Sequence, residues 1–133
     1  MQPGFEPDIV VYTLTPGCDP RDLSFLLQNE RIKGLIIRAY GAGNLPYDFG
    51  AFLDQARRKR LPVVVTSQCL HGVTMMSGYD VGGSALERGA IEGYGQSLEM
   101  LAVKLMSALG NFRNEDIKDV MQTNLAGEMG AGA

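Results

Sequence analysis

The chain has 133 residues, 45% hydrophobic and 20% charged, an ordinary balance for one globular domain large enough to bury a core without staples. A net charge of −3 points away from a nucleic-acid partner, and no apolar run reaches membrane-spanning length. The opening MQPGFEPD is not a signal peptide, and Cys18 and Cys69 stand far apart in no metal or redox spacing, so reduced thiols in a cytoplasmic protein are expected.

Residues 1–7 carry Pro3, Gly4 and Pro7 and read as a linker stub. Asp8 to Leu14 (DIVVYTL) is β-branched and apolar, hence a short buried strand, closed by Thr15-Pro16-Gly17. Asp19-Pro20 then opens a helix, with Asp19 as cap, Pro20 at the first helical position and Asp22 complementing the dipole. Leu23, Leu26 and Leu27 form its apolar side. The next stretch, Lys33 to Pro46 (KGLIIRAYGAGNLP), runs from an apolar strand through Arg38 into the turn Gly41-Ala42-Gly43-Asn44.

A second helix carries Phe49, Phe52, Leu53 and Ala56 at i, i+3, i+4 and i+7 and ends in Arg57-Arg58-Lys59-Arg60. Such a run can be a nucleic-acid patch, but four cations at a helix C-terminus more commonly complement the dipole in solvent. Leu61 to Gln68 (LPVVVTSQ) is the third strand. Cys69 to Asp80 shows no periodicity and reads as a long loop, followed by a short helix over Val81 to Arg88 and a turn at Gly93-Tyr94-Gly95. Ser97 caps an amphipathic helix bearing Leu98, Leu101, Ala102, Leu105 and Leu109, with Gly110 as its stop. Asn114 caps a last helix with Ile117, Val120 and Met121 on one face, and residues 127–133 form a tail.

Alternating strands and helices with short links imply right-handed crossovers and a parallel sheet covered on both faces. The expected class is α/β: a flavodoxin-like, three-layer α-β-α sandwich on a parallel sheet of three to four strands. The strand C-termini then gather Thr13 to Gly17, Arg38 to Asn44 and Thr66 to Gly72 at one edge, where open α/β sheets hold ligands.

No catalytic constellation is visible. His71 is the one histidine and has no acid at short spacing, the carboxylates are scattered without metal-ligand pairing, and there is no Walker-type loop. Gly41-Ala42-Gly43 lacks the third glycine of a dinucleotide fingerprint, and Asn44-Leu45-Pro46 delays the helix that would face a pyrophosphate. No cofactor or metal is expected. Arg38 is the informative residue, because a guanidinium ending an apolar central strand is costly unless an anion meets it. That anion is either a local carboxylate or a ligand carboxylate captured bidentately. Asn44 offers an amide from the turn, or simply suits a left-handed turn position.

The series IIRAYGAGNLP, then VVVTSQCLHG, then LERGAI and LMSALG, in that order over residues 8–129, resembles the C-terminal domain of bacterial-type L-asparaginases, most closely the cytoplasmic type I branch. The asparaginase-like subunit of glutamyl-tRNA amidotransferase is a near relative. The resemblance implies hydrolysis of the asparagine side-chain amide to aspartate and ammonia without metal or organic cofactor. It places the catalytic threonines in an N-terminal domain whose motifs do not occur in this sequence. Residues 8–126 then form the C-terminal domain alone, expected to be inactive by itself.

By the same resemblance the chain assembles as a homodimer or homotetramer, with Asn44 reaching a neighbour's substrate site. Arg38 takes the carboxylate of an effector L-asparagine, and Ser67 and Cys69 line that pocket. An acidic residue that the secreted branch sends to the neighbour aligns near Ser77. Two other readings stand beside this one. The first is a free-standing amino-acid-binding regulatory module, and the second is the tRNA-dependent amidotransferase subunit. Met75-Met76 could serve an adaptable interface, although core packing is the commoner use of methionine.

Overall fold

The structure, a computed structural model, describes residues 4–15, 19–39, 49–67, 89–93 and 96–122. The expected turn at Gly41 to Asn44, loop from Cys69 to Asp80, helix from Val81 to Arg88 and tail at 127–133 lie outside them.

Three of the expected strands form, and a fourth joins them. β1 (Ile9–Thr13), β2 (Gly34–Ala39), β3 (Val63–Ser67) and β4 (Ile91–Glu92) make one sheet in the order β1-β2-β3-β4, and every pairing is parallel. The order is sequential, without the reversal that sets the second strand outside the first in flavodoxin-type sheets. β4 has only two residues, and the sequence carried no signal for it.

Sequential order has a packing consequence. Right-handed crossovers that all step the same way put their helices on the same face of the sheet. α1 (Pro20–Gln28) and α2 (Gly50–Arg58) accordingly share one core with the sheet. There Leu23, Leu27, Phe52, Leu53 and Ala56 close over Leu35, Ile37, Ala39, Val63 and Val65. The opposite face needs cover from later in the chain, and α3 (Leu98–Asn111) and α4 (Ile117–Gln122) provide it. Their Leu101, Leu105, Ala108, Ile117 and Met121 bury Ile36, Val64 and Ile91. Leu35, Ile36 and Ile37 are all fully buried, as a central strand covered on both faces requires.

The helix starts follow their sequence signals. The Asp19 carboxylate accepts from the Arg21 backbone N–H at 2.9 Å, with Pro20 at the first helical position. The Ser97 hydroxyl accepts from the Met100 N–H at 3.2 Å. Two ends differ from expectation. Gly110 does not stop α3, which runs on to Asn111. A side chain at 110 would collide with the backbone of Gly4 and Phe5, so glycine is needed there for close approach of the N-terminal segment. That segment is tied down, with the Glu6 N–H donating to the Met106 carbonyl at 3.0 Å and the Asn111 amide to the Gly4 carbonyl at 2.6 Å. Asn114 does not cap α4. It begins a 3-10 turn (Asn114–Asp116), and its side-chain amide donates to the Arg60 carbonyl at 2.6 Å.

Candidate ligand-binding site at the carboxyl ends of the strands

Side chains alternate across a strand, so the placement of Leu35, Ile37 and Ala39 in one core and Ile36 in the other fixes the direction of Arg38. It stands on the Ile36 face, one step nearer the carboxyl end. Parallel register carries this across the sheet. Thr13 of β1 pairs with Arg38, and Arg38 pairs with Thr66 of β3. The three polar residues form a row immediately beyond the apolar Ile36–Val64 pair. Arg38 is half-buried, Thr66 is buried, and Arg38 Nη1 donates to Thr13 Oγ1 at 3.4 Å.

α3 lies antiparallel to these strands. Its C-terminal half meets the start of β2, where Leu105 Cδ2 and Leu109 Cδ1 come within 3.1 Å and 3.0 Å of the space a side chain at Gly34 would fill. Its first turn sits over the strand ends. A side chain at Gly93 would meet Leu101 Cδ1 at 3.0 Å, the Val65 carbonyl at 3.0 Å and Thr66 Cβ at 3.2 Å. Gly93 also extends the β4 ladder by donating its N–H to that carbonyl at 2.8 Å. The N-terminal end of α3, with Glu99 and the Ser97 cap, therefore shares an end of the sheet with Arg38. A guanidinium and the positive end of a helix dipole at the same edge favour a negatively charged guest.

Gln96 completes this corner. It is buried, donates from Nε2 to the Gly93 carbonyl at 3.4 Å, and leaves Oε1 without a hydrogen-bond partner among the described residues. A buried amide oxygen with no donor is costly, and a ligand N–H or a water would relieve it. Thr66 opens one of the three segments expected at this edge, although without a role of its own, while nothing local in the sequence marks Gln96 as buried.

Of the residues expected at a site, Arg38 stands in this row, and Ser67 ends β3 opposite Ala39. Asn44 and Cys69 lie outside the described residues, as do His71 and Ser77. The described residues do not join those four to the row. Among the described residues no three His, Cys, Asp or Glu side chains come together to hold a metal ion, and no helix is long and apolar enough to cross a membrane.

Comparison with known proteins gives one consistent picture. The model of the glutaminase/asparaginase C-terminal domain matches residues 8–122. An L-asparaginase of Thermococcus kodakarensis is 38% identical over 132 residues, which is 96% of this chain and 39% of that protein. A glutamyl-tRNA(Gln) amidotransferase subunit of Methanosarcina acetivorans is 36% identical over 129 residues, 96% of this chain and 30% of that protein. Among solved structures, the thermostable L-asparaginase from Thermococcus kodakarensis superposes with a TM-score of 0.87 at 35% identity, covering 96% of this chain and 39% of that one. L-asparaginase I from Vibrio cholerae superposes with a TM-score of 0.85 at 32% identity, covering 92% and 38%. The chain thus spans less than two-fifths of the length of these relatives.

Proposed function

We propose a function from one premise: the chain belongs to the glutaminase/asparaginase C-terminal domain family. It serves as the effector and interface domain of a cytoplasmic L-asparaginase that hydrolyses L-asparagine to L-aspartate and ammonia. The catalytic threonines belong to a domain outside these 133 residues, and this chain alone is inactive. Arg38 receives the carboxylate of an effector asparagine, Ser67 and Cys69 line the same pocket, and Asn44 reaches the substrate site of a neighbouring protomer in a homodimer or homotetramer.

The observation that carries this reading is the Thr13–Arg38–Thr66 row beneath the first turn of α3. An α-amino acid carries a carboxylate that suits the guanidinium and the helix end, and an ammonium that suits an amide oxygen such as Gln96 Oε1.

A second reading is favoured by one specific finding. The amidotransferase relative is 36% identical to this chain, against 38% for the L-asparaginase, so identity barely separates the two. The polypeptide that contains this domain should release ammonia from free L-asparagine with no tRNA and no partner chain. Dependence on charged tRNA or on a second polypeptide would transfer the assignment to the amidotransferase.

A further inference from the structure

At the opposite end of the sheet from Arg38, α2 closes on a left-handed residue that is not glycine. The Arg60 N–H donates to the Arg57 carbonyl at 3.0 Å, and the Leu61 N–H donates to the Ala56 carbonyl at 2.9 Å. This paired closure needs a positive φ at Arg60, which has φ 57. Glycine adopts that conformation freely, whereas a side chain meets the following carbonyl, so arginine is held there at a steric cost. The Asn114 amide clamps the Arg60 carbonyl at 2.6 Å and fixes the strained residue against the turn that leads into α4.

Strain of this kind is informative when the side chain it places has something to meet. Arg60 lines a cleft of about 470 Å³ between α2 and α4, along the starts of β3 and β4. The floor is apolar, from half-buried Leu61 and Pro62 together with buried Leu53, Val63, Ile91 and Ile117. The rim is cationic. Arg60 stands on one wall and Lys118 of α4 on the other, with the Arg57 stem laid beside Gly89, its Cδ 3.5 Å from where a side chain there would begin. Glu115 is the one carboxylate among the described lining residues, and it is drawn toward Arg113, with Oε1 3.4 Å from Nε. Among the described lining residues, Arg60 and Lys118 bring cations to the cleft and Arg57 has an interaction of its own, while the carboxylate of Glu115 already has a partner.

We propose that this cleft binds a small organic anion with an apolar body, its carboxylate or phosphate held by Arg60 and Lys118 and its body resting on the half-buried Leu61 and Pro62. The volume lies in the range of small-ligand pockets, and the pattern of an apolar floor with a few convergent polar groups is typical of them. The Arg57 to Arg60 run then has a use beyond complementing the α2 dipole, and it stands apart from the Arg38 row.

The test is an amide NMR titration of the chain with phenyl phosphate, phenylacetate, inorganic phosphate and a short single-stranded RNA. At least one aromatic anion should shift the amides of Val63, Gly89, Ile91 and Lys118 saturably, and the tighter of the two identifies phosphate or carboxylate as the preferred group. Inorganic phosphate should bind about tenfold more weakly or worse, since it leaves the floor unused. Arg60→Gly should weaken the aromatic anion by about tenfold or more while raising the melting temperature, because it removes a charged contact and relieves the backbone. The proposal is overturned if neither aromatic anion shifts those amides, if inorganic phosphate matches them, or if RNA binds there and the small anions do not. Unchanged affinity in Arg60→Gly also overturns it.

Discussion

Arg38 on β2 and Thr13 on β1 are register partners, and Arg38 Nη1 donates to the Thr13 hydroxyl at 3.4 Å. The Thr13 hydroxyl is one of the guanidinium's contacts, and at this distance it sets direction more than it stabilises. The contact turns the guanidinium toward β1, while Thr66 flanks Arg38 on its β3 side. In the polypeptide that carries the whole enzyme, Arg38→Ala should raise the asparagine concentration needed for activation by about tenfold to a hundredfold, the usual worth of a charge-assisted contact. Arg38→Lys should recover only part of this, because an ammonium cannot grip a carboxylate with two parallel bonds. Velocity curves over a range of asparagine concentrations decide the point, and unchanged curves for Arg38→Ala would remove the arginine from the effector site.

Gly93 keeps the first turn of α3 pressed onto β3. A methyl group there meets the Val65 carbonyl at 3.0 Å and Leu101 Cδ1 at 3.0 Å, and the carbonyl cannot yield. Gly93→Ala should cost about 1–3 kcal/mol in denaturant unfolding, as overpacking does. A loss below about 0.5 kcal/mol would mean that α3 moves away without penalty.

Ser97 satisfies an N–H at the positive end of α3, beside the Arg38 row. Ser97→Ala should destabilise the chain by about 1 kcal/mol, whereas Ser97→Asp should be nearly neutral because aspartate caps as well. Equal losses in both variants would show that the hydroxyl is not acting as a cap.

Asp19 caps α1 and also takes hydrogen bonds from the Arg21 side chain, at 2.9 Å and 2.6 Å to Oδ2. The Arg21 side chain first, then the Arg21 backbone N–H, hold its carboxyl below the usual carboxylate range. A depressed folded value means that its contribution is present above the unfolded pKa of about 3.9 and fades as pH falls through the folded value. A carbon-detected titration should place the Asp19 midpoint below that of the unfolded chain. A midpoint at or above the ordinary value would contradict the cap geometry.

Much of the scaffold was legible because it is written locally. Continuous apolar runs marked β1, β2 and β3, and Asp19-Pro20 and Ser97 announced two helix starts before any packing was considered. Arg38 was legible for the same reason: a charge at the end of an apolar strand demands an explanation. What was missed depends on contacts between distant parts of the chain. Ile91–Glu92 is too short to show a period and becomes a strand only because Val64 and Val65 offer it a ladder. Gly110 resembles a helix stop, yet its reason is the approach of Gly4 and Phe5 from the far N-terminal end of the chain. Gln96 is buried through its position beside Gly93, which no periodicity reveals. Cys69 rests on family resemblance alone and Asn44 on its turn amide together with that resemblance, and both fall outside the described residues.

The central claim is that this chain supplies binding and interface residues while another domain performs the chemistry. The most direct test is ammonia release from L-asparagine by the purified 133-residue chain, measured against a buffer blank. No release above the blank is predicted. Sustained turnover by the chain alone would contradict the account.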